Sequence, residues 1–360
     1  MRTADPSLRT KEAFLPATSG ALSQWHLACH CGWPALVLVV GLSPAAAGWP
    51  RATAELPPVS VSSVAPVPSY ASAPAGCSLR AQSGTMHLSI GGHPRLVIVH
   101  VPTGYRATVP TALVLNMHGS GSTAREQEMF SGMNAAADRD GFIVAYPQGV
   151  ITSGAGFAWN VPGEPLFGGV YPPKDAANDV VFLTDLVTEL AAVYCIDTRR
   201  VFATGVSGGG RMASQLACDS PGTFAAVAPV AGLRFPSPCP SARPVPVIAF
   251  HGTADPVDPY AGHGQAYWAY SVPTAAKLWA AHDRCRLIPH TASGAGYTLS
   301  DYRGCARGGE VELYTLIGEG HEWPGGPSMP PSITAVLGPQ SQAVDANTTM
   351  WAFFVEHSRP

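Results

Sequence analysis

The stretch Arg200-Val201-Phe202-Ala203-Thr204-Gly205-Val206-Ser207-Gly208-Gly209-Gly210-Arg211-Met212-Ala213-Ser214-Gln215-Leu216-Ala217 decides the fold. Val201 to Thr204 is a short apolar run of strand type, and Arg211 to Ala217 are good helix formers. Between them lies Gly205-x-Ser207-x-Gly209, the spacing of a nucleophile elbow, in which a strand turns sharply into a helix with a serine at the apex. The glycines are required because so tight a turn leaves no room for Cβ atoms beside a strained apex. The turn holds the Ser207 hydroxyl clear of the sheet. It also aims the first amides of the following helix at whatever the serine attacks.

Upstream, Met86–Ile90 and Arg95–Val101 read as two antiparallel strands joined at Gly91-Gly92. Thr111–Met117 is a continuous apolar run, the mark of a strand buried on both faces. Ala124–Asp140 is expected to be a helix, Phe142–Pro147 the next buried strand, and Asp179 the N-terminal cap of a helix running to Tyr194. Gln148–Ala177 is a long Gly/Pro-rich excursion of the kind that walls a binding cleft. Downstream, Thr223–Ala231, Val245–Phe250 and Val311–Ile317 are further strands. This alternation predicts an α/β protein with a mainly parallel central sheet and helices on both faces. Ligands in such sheets bind beyond the carboxyl ends of the strands.

Three such strand ends carry chemistry. The first is Ser207, the second leads into His251-Gly252-Thr253-Ala254-Asp255, and the third into Gly318-Glu319-Gly320-His321. The chain order Ser207, Asp255, His321 is that of the α/β-hydrolase fold, with serine as nucleophile, histidine as base and aspartate as orienting acid. Asp258 is the rival acid and His251 the rival base, the latter out of chain order and better suited to packing in its loop. The turn His118-Gly119-Ser120-Gly121 leaves a central strand, so Ser120 is the candidate second oxyanion donor beside Gly208. His118 itself reads as a loop brace. Trp159, Tyr260 and Trp323 are candidates for stacking on a substrate, with packing as the alternative.

Composition narrows the classes. Of 360 residues 46% are hydrophobic and only 12% charged, with a net charge of −3 and lysine at Lys11, Lys174 and Lys277 alone. No basic run could neutralise a phosphate backbone, so nucleic acid is not an expected partner. Residues 1–47, with early basic residues, an apolar Pro34–Leu42 and a terminal Ala45-Ala46-Ala47, read as a secretory signal peptide with a long n-region. The apolar run is too short for a membrane anchor, which needs ~20 residues. Residues 48–76 read as a Pro/Ala/Ser-rich linker, and residues 77–360 as the catalytic domain. Beyond the leader remain Cys77, Cys195, Cys218, Cys239, Cys285 and Cys305, which an exported chain would pair. Cys285–Cys305 is the expected pair because the two bracket one turn-rich insert.

A wider set of motifs then carries a resemblance. It comprises His118-Gly119-Ser120-Gly121, Gly141–Pro147, Tyr194–Asp197 ahead of Arg200–Gly205, Phe224–Gly232, His251–Asp255 and Gly320–Gly325. Together they resemble the secreted esterase family that includes polyhydroxybutyrate depolymerases, feruloyl esterases and acetylxylan esterases. The resemblance spans about residues 77 to 357. It implies an α/β-hydrolase fold, export, hydrolysis of carboxylic esters through an acyl-enzyme, and neither metal nor organic cofactor. It carries Ser207, Asp255 and His321 onto the triad, and Ser120 with Gly208 onto the oxyanion hole. The expected partner is an ester substrate, with no membrane anchor after signal removal and no partner protein. Hydroxyalkanoate oligomers or polyester lead as substrates, with feruloyl or acetyl esters of cell-wall polysaccharide second. A serine peptidase or acyltransferase on the same fold is the alternative of another class. One departure is Gly208-Gly209-Gly210, where Asn-Gly-Gly or Ala-Gly-Gly is commoner.

Overall fold

The computed structural model describes Cys77 and residues 82–359; the expected leader and linker lie outside the described residues. Ten strands form one sheet, and its middle is the part the apolar runs anticipate. Antiparallel β1 (Gly84–Ile90) and β2 (His93–His100) turn at Gly91-Gly92 and lead to β3 (Thr111–Met117), whose every residue is buried. Helices α1 (Ala124–Ser131) and α2 (Met133–Asp140) follow, then β4 (Ile143–Pro147) and a separate small hairpin, β5 (Ile151–Ser153) with β6 (Gly156–Ala158). Helix α3 (Asp179–Val193) precedes β7 (Ile196–Val206), helix α4 (Gly208–Asp219), β8 (Ala226–Val230) and β9 (Val247–Gly252). Helix α5 (Val272–His282) leads to β10 (His290–Gly294), β11 (Tyr297–Tyr302) and β12 (Val311–Leu316), and α6 (Pro331–Leu337) and α7 (Ala346–Glu356) complete the order.

The sheet order is β1-β2-β4-β3-β7-β8-β9-β12-β11-β10. Every pairing from β4 across to β12 is parallel, and the strands added at each edge are antiparallel. Period-two alternation divides the core between the two faces. Leu113 and Leu115 of β3 pack with Phe182 and Leu186 of α3, Met212 and Leu216 of α4, and Trp279 of α5. Ala112 and Val114 point the other way, to Phe130, Met133 and Ala137 of α1 and α2 and to Met350, Phe353 and Phe354 of α7. Helices on both faces thus shield a parallel sheet that has no polar side to offer water.

Two local expectations are corrected. The single helix expected over Ala124–Asp140 is two, because Gly132 adopts φ 57°, a left-handed conformation that ends α1 and starts α2. The cap of α3 is Asn178, whose side chain accepts from the Val181 amide; Asp179 is instead buried in an ion pair with Arg95 at 2.7 Å. Asp179 also accepts from the Asn160 amide at 2.8 Å, so its role is to hold the long excursion against β2. The expected Cys285–Cys305 disulfide is present, together with Cys77–Cys195 and Cys218–Cys239.

Candidate active site

The elbow forms as its spacing requires. Ser207 sits between β7 and α4 with φ 55° and ψ −117°, a strained conformation for a residue with a side chain. A Cβ on either Gly205 or Gly209 would collide with the Met117 carbonyl oxygen, so the turn closes onto β3 only because both are glycine. A Cβ on Gly208 would lie 2.5 Å from the Ser120 Oγ and 3.2 Å from the Ser120 amide nitrogen. The two candidate oxyanion donors are therefore neighbours across the elbow. Gly208 is the first residue of α4, where no preceding helical carbonyl claims the amide.

β7, β9 and β12 run parallel, so the segments leaving their carboxyl ends meet at one rim of the sheet. The loops after β9 and β12 are laced together: the Thr253 amide donates to the Leu316 carbonyl and the Ala254 amide to the Glu319 carbonyl, each at 2.9 Å. This lacing brings Asp255 to His321, with Nδ1 of the imidazole 2.8 Å from Oδ2 of the carboxylate. The other carboxylate oxygen accepts from the Val257 and Asp258 amides, both at 2.8 Å. His321 is further held by its own amide, which donates to the Leu337 carbonyl at the end of α6.

Electrostatics separate the two aspartates of the loop. Burial alone would raise Asp255, but hydrogen bonds from His251 and His321 and their charges outweigh it, holding the carboxyl well below the usual range. Asp258 is fully buried, neither carboxylate oxygen has a hydrogen-bond partner among the described residues, and burial pushes its pKa up. Of the rival acids, Asp255 is the one that meets the histidine. For His321, burial pulls the imidazole down, yet the hydrogen bond and charge of Asp255, with Asp258 and Glu322 behind them, more than offset this and raise it.

Ser207 and His321 line one cavity of about 470 Å³ together with Gly119 and Ser120. The rest of its wall is mainly apolar: Phe130, Phe167, Val206, Val257, Met329 and Ile333 are on it, along with Tyr267, Val336 and Leu337. Glu126 is its one acidic lining residue besides those polar groups. Ile333, Val336 and Leu337 of this wall belong to α6, a helix not among those expected from the sequence. Its signal was there, in prolines at 330 and 331 followed by Ile333, Val336 and Leu337 at helical spacing.

The three aromatic candidates Trp159, Tyr260 and Trp323 do not lie on this cavity wall. Trp159 is buried and donates to the His118 carbonyl at 2.8 Å, Tyr260 shares a hydrogen bond with the Thr315 hydroxyl at 2.7 Å, and the buried Trp323 donates to Asn347 at 3.1 Å. Each brace has its polar tip already engaged. His118 braces too: its Nε2 accepts from the Gly149 amide at 3.0 Å and its Nδ1 faces the Gly119 carbonyl at 2.8 Å. Burial brings this imidazole down to about 4, so it stays neutral while it ties the Ser120 turn to β4's loop.

A family model described as esterase PHB depolymerase matches residues 97–263. The putative esterase NocK of Nocardia uniformis subsp. tsuyamanensis is 36% identical over 262 residues, which cover 66% of this chain and 73% of that protein. The chain belongs to the esterase PHB depolymerase family. This esterase is also 31% identical to feruloyl esterase B of Piromyces equi, over 63% of the chain and 42% of the relative. It is 33% identical to poly(3-hydroxyalkanoate) depolymerase C of Paucimonas lemoignei, over 37% of the chain and 30% of the relative. The chain thus spans less than half the length of these last two. Among solved structures, a thermostable esterase superposes with a TM-score of 0.50 at 16% identity, covering 77% of this chain and 63% of that one. That likeness bears on the fold, which is the α/β-hydrolase fold. The protein is a carboxylic-ester hydrolase.

Proposed function

We propose that the esterase works through Ser207, His321 and Asp255, with the amides of Gly208 and Ser120 as the oxyanion hole. The observation that carries this is the 2.8 Å bond from His321 to Asp255, with His321 and Ser207 on the wall of one cavity. Bonded through Nδ1, the imidazole leaves Nε2 to take the Ser207 proton. The Ser207 oxygen attacks the ester carbonyl carbon, and the resulting oxyanion lies at the positive end of α4 between the two amides. As the tetrahedral species collapses, the C–O bond to the alcohol breaks and His321 returns the proton to the leaving oxygen. A water molecule then repeats the sequence on the acyl-enzyme, releasing the acid and restoring Ser207.

The apolar wall supports an aliphatic acyl group, such as a hydroxyalkanoate oligomer carries. Phe130, Phe167 and Tyr267 on the same wall support an aromatic acyl group as the second reading. The three disulfides support a working place outside the cytosol, in the extracellular space or periplasm. Ser207→Ala is expected to abolish turnover of a short-chain nitrophenyl ester while leaving the circular dichroism spectrum and melting midpoint intact. Comparable turnover by that variant would refute the assignment. Release of acid from 3-hydroxybutyrate oligomers, measured beside release of ferulate from arabinoxylan, decides between the two acyl groups.

A further inference from the structure

Asp255 is approached by a second imidazole. His251 is the penultimate residue of β9, its Cα paired with that of Thr315 on β12, and its side chain is wholly buried. Its Nε2 lies 2.8 Å from the Asp258 carbonyl and 3.2 Å from Asp255 Oδ2, the same oxygen that receives His321. Both neighbours are acceptors, so Nε2 carries the proton and faces them together. Nδ1 has no partner among the described residues. The ring stacks on Trp268 with centroids 5.5 Å apart, and Trp268 is itself pinned by donation to the Pro259 carbonyl at 2.8 Å. His251 does not line the cavity, so it is not a second base.

We infer that His251 is a positioning residue, one N–H that fixes the turn carrying Asp255 through the Asp258 carbonyl and shares the charge of Asp255 Oδ2 with His321. The inference rests on the triad reading above. Its consequence has two parts of different sign. Holding the carboxylate in place favours turnover. Drawing on the charge of Oδ2 leaves the His321 cation less stabilised than Asp255 alone would make it, which keeps the base free of its proton to lower pH.

Other charged and titratable groups surround this pair. Asp258 shares the loop, Tyr260 sits with its ring 6.0 Å from His251, and Glu319 and Glu322 approach from the loop after β12. The Arg211 charge reaches Asp258 from α4. None of these supplies an N–H to Asp255 Oδ2, so His251→Leu removes that contact and leaves the remaining field in place.

The test compares His251→Leu, which removes the donor, with His251→Gln, which restores an N–H at similar reach. The readouts are kcat, KM, the pH profile of kcat/KM and the melting midpoint. For His251→Leu, kcat should fall about tenfold at nearly constant KM, and the acid limb of the profile should move up by about half a pH unit. His251→Gln should return the limb to the wild-type position and recover most of kcat. A merely structural histidine would lower the melting midpoint in both variants and leave limb and kcat of the folded protein unmoved, which overturns the inference. A limb displaced equally in both variants also overturns it, because the donor would then be irrelevant. If His251→Leu does not fold, His251→Phe, which fills the site without an N–H, takes its place beside His251→Gln: a limb displaced in the Phe variant alone supports the donor role, and a limb that is unmoved in both or displaced in both overturns it. Ser207→Ala, run alongside, keeps the two readings apart. Turnover by that variant sinks the triad itself, whereas an inactive Ser207→Ala beside an unmoved His251→Leu sinks only the role of His251.

Discussion

Asp255 and Asp258 stand three residues apart, and their surroundings push them in opposite directions, the first down and the second up. Asp255→Asn should therefore lower kcat by about 10⁴, as loss of the orienting acid leaves the imidazole in the wrong tautomer. Asp258→Asn should keep kcat within about threefold, since a buried acid driven towards its neutral form is replaced by a neutral amide. Nitrophenyl-ester kinetics on both variants checks the pair, and equal losses would contradict the assignment. His321 adds a pH signature. Its pKa is raised above the ordinary 6.5, and only the neutral ring accepts a proton, so kcat/KM should climb with pH through a midpoint above 6.5. The three triad candidates were legible from the sequence because each follows a strand end in a fixed chain order. The aromatic candidates were not. An indole N–H needs a partner, and sequence does not say whether that partner is a substrate or, as for Trp159, a backbone carbonyl 41 residues away.

At the scale of elements, the strands were the most readable part, because burial on both faces demands unbroken apolar runs such as Thr111–Met117. The errors fell where one residue's backbone decides: Gly132 breaks a helix whose side-chain pattern runs on, and Asn178 takes the cap that Asp179 could equally have filled. Helix α6 is hard to read from the sequence because it spans 7 residues, none of them buried, and so lacks the core-facing stripe by which helices are found. Its apolar side faces the cavity instead of the core, with Ile333, Val336 and Leu337 on the wall. This gives a specificity prediction. Ile333→Ala removes apolar surface from the cavity wall proposed to hold the acyl group, so kcat/KM for a hexanoyl ester should fall up to about tenfold while that for an acetyl ester stays within about twofold. A chain-length series of nitrophenyl esters measures it, and a uniform loss across the series would mean that α6 acts through His321 and not through the acyl group.

Over the whole molecule, charge is scarce, at 12% of residues, so the few carboxyls that are buried weigh heavily on how stability depends on pH. Glu319 is one of these carboxyls. It is 1% exposed, neither side-chain oxygen has a hydrogen-bond partner among the described residues, and burial with the nearby charges of Glu322 and Asp255 pushes it up to about 9. Its ordinary value is 4.5, so between those two pH values the folded chain holds a proton that the unfolded chain has released. Stability from this group is complete below pH 4.5 and drains away as pH rises through the window, levelling only above about 9. Asp255 works with the opposite sign at the acid end, where stability is lost as pH falls through its depressed value. Glu319→Gln keeps the shape and removes the proton to be lost. Its melting midpoint should match wild type near pH 4.5, then gain on it steadily, by at least about 2–4 °C at pH 8. Thermal melts at several pH values across this window make the comparison. A difference between variant and wild type that stays constant from pH 4.5 to 8 would show that Glu319 is already ionised in the folded protein, and that some cation or water held by the 318–322 loop compensates it.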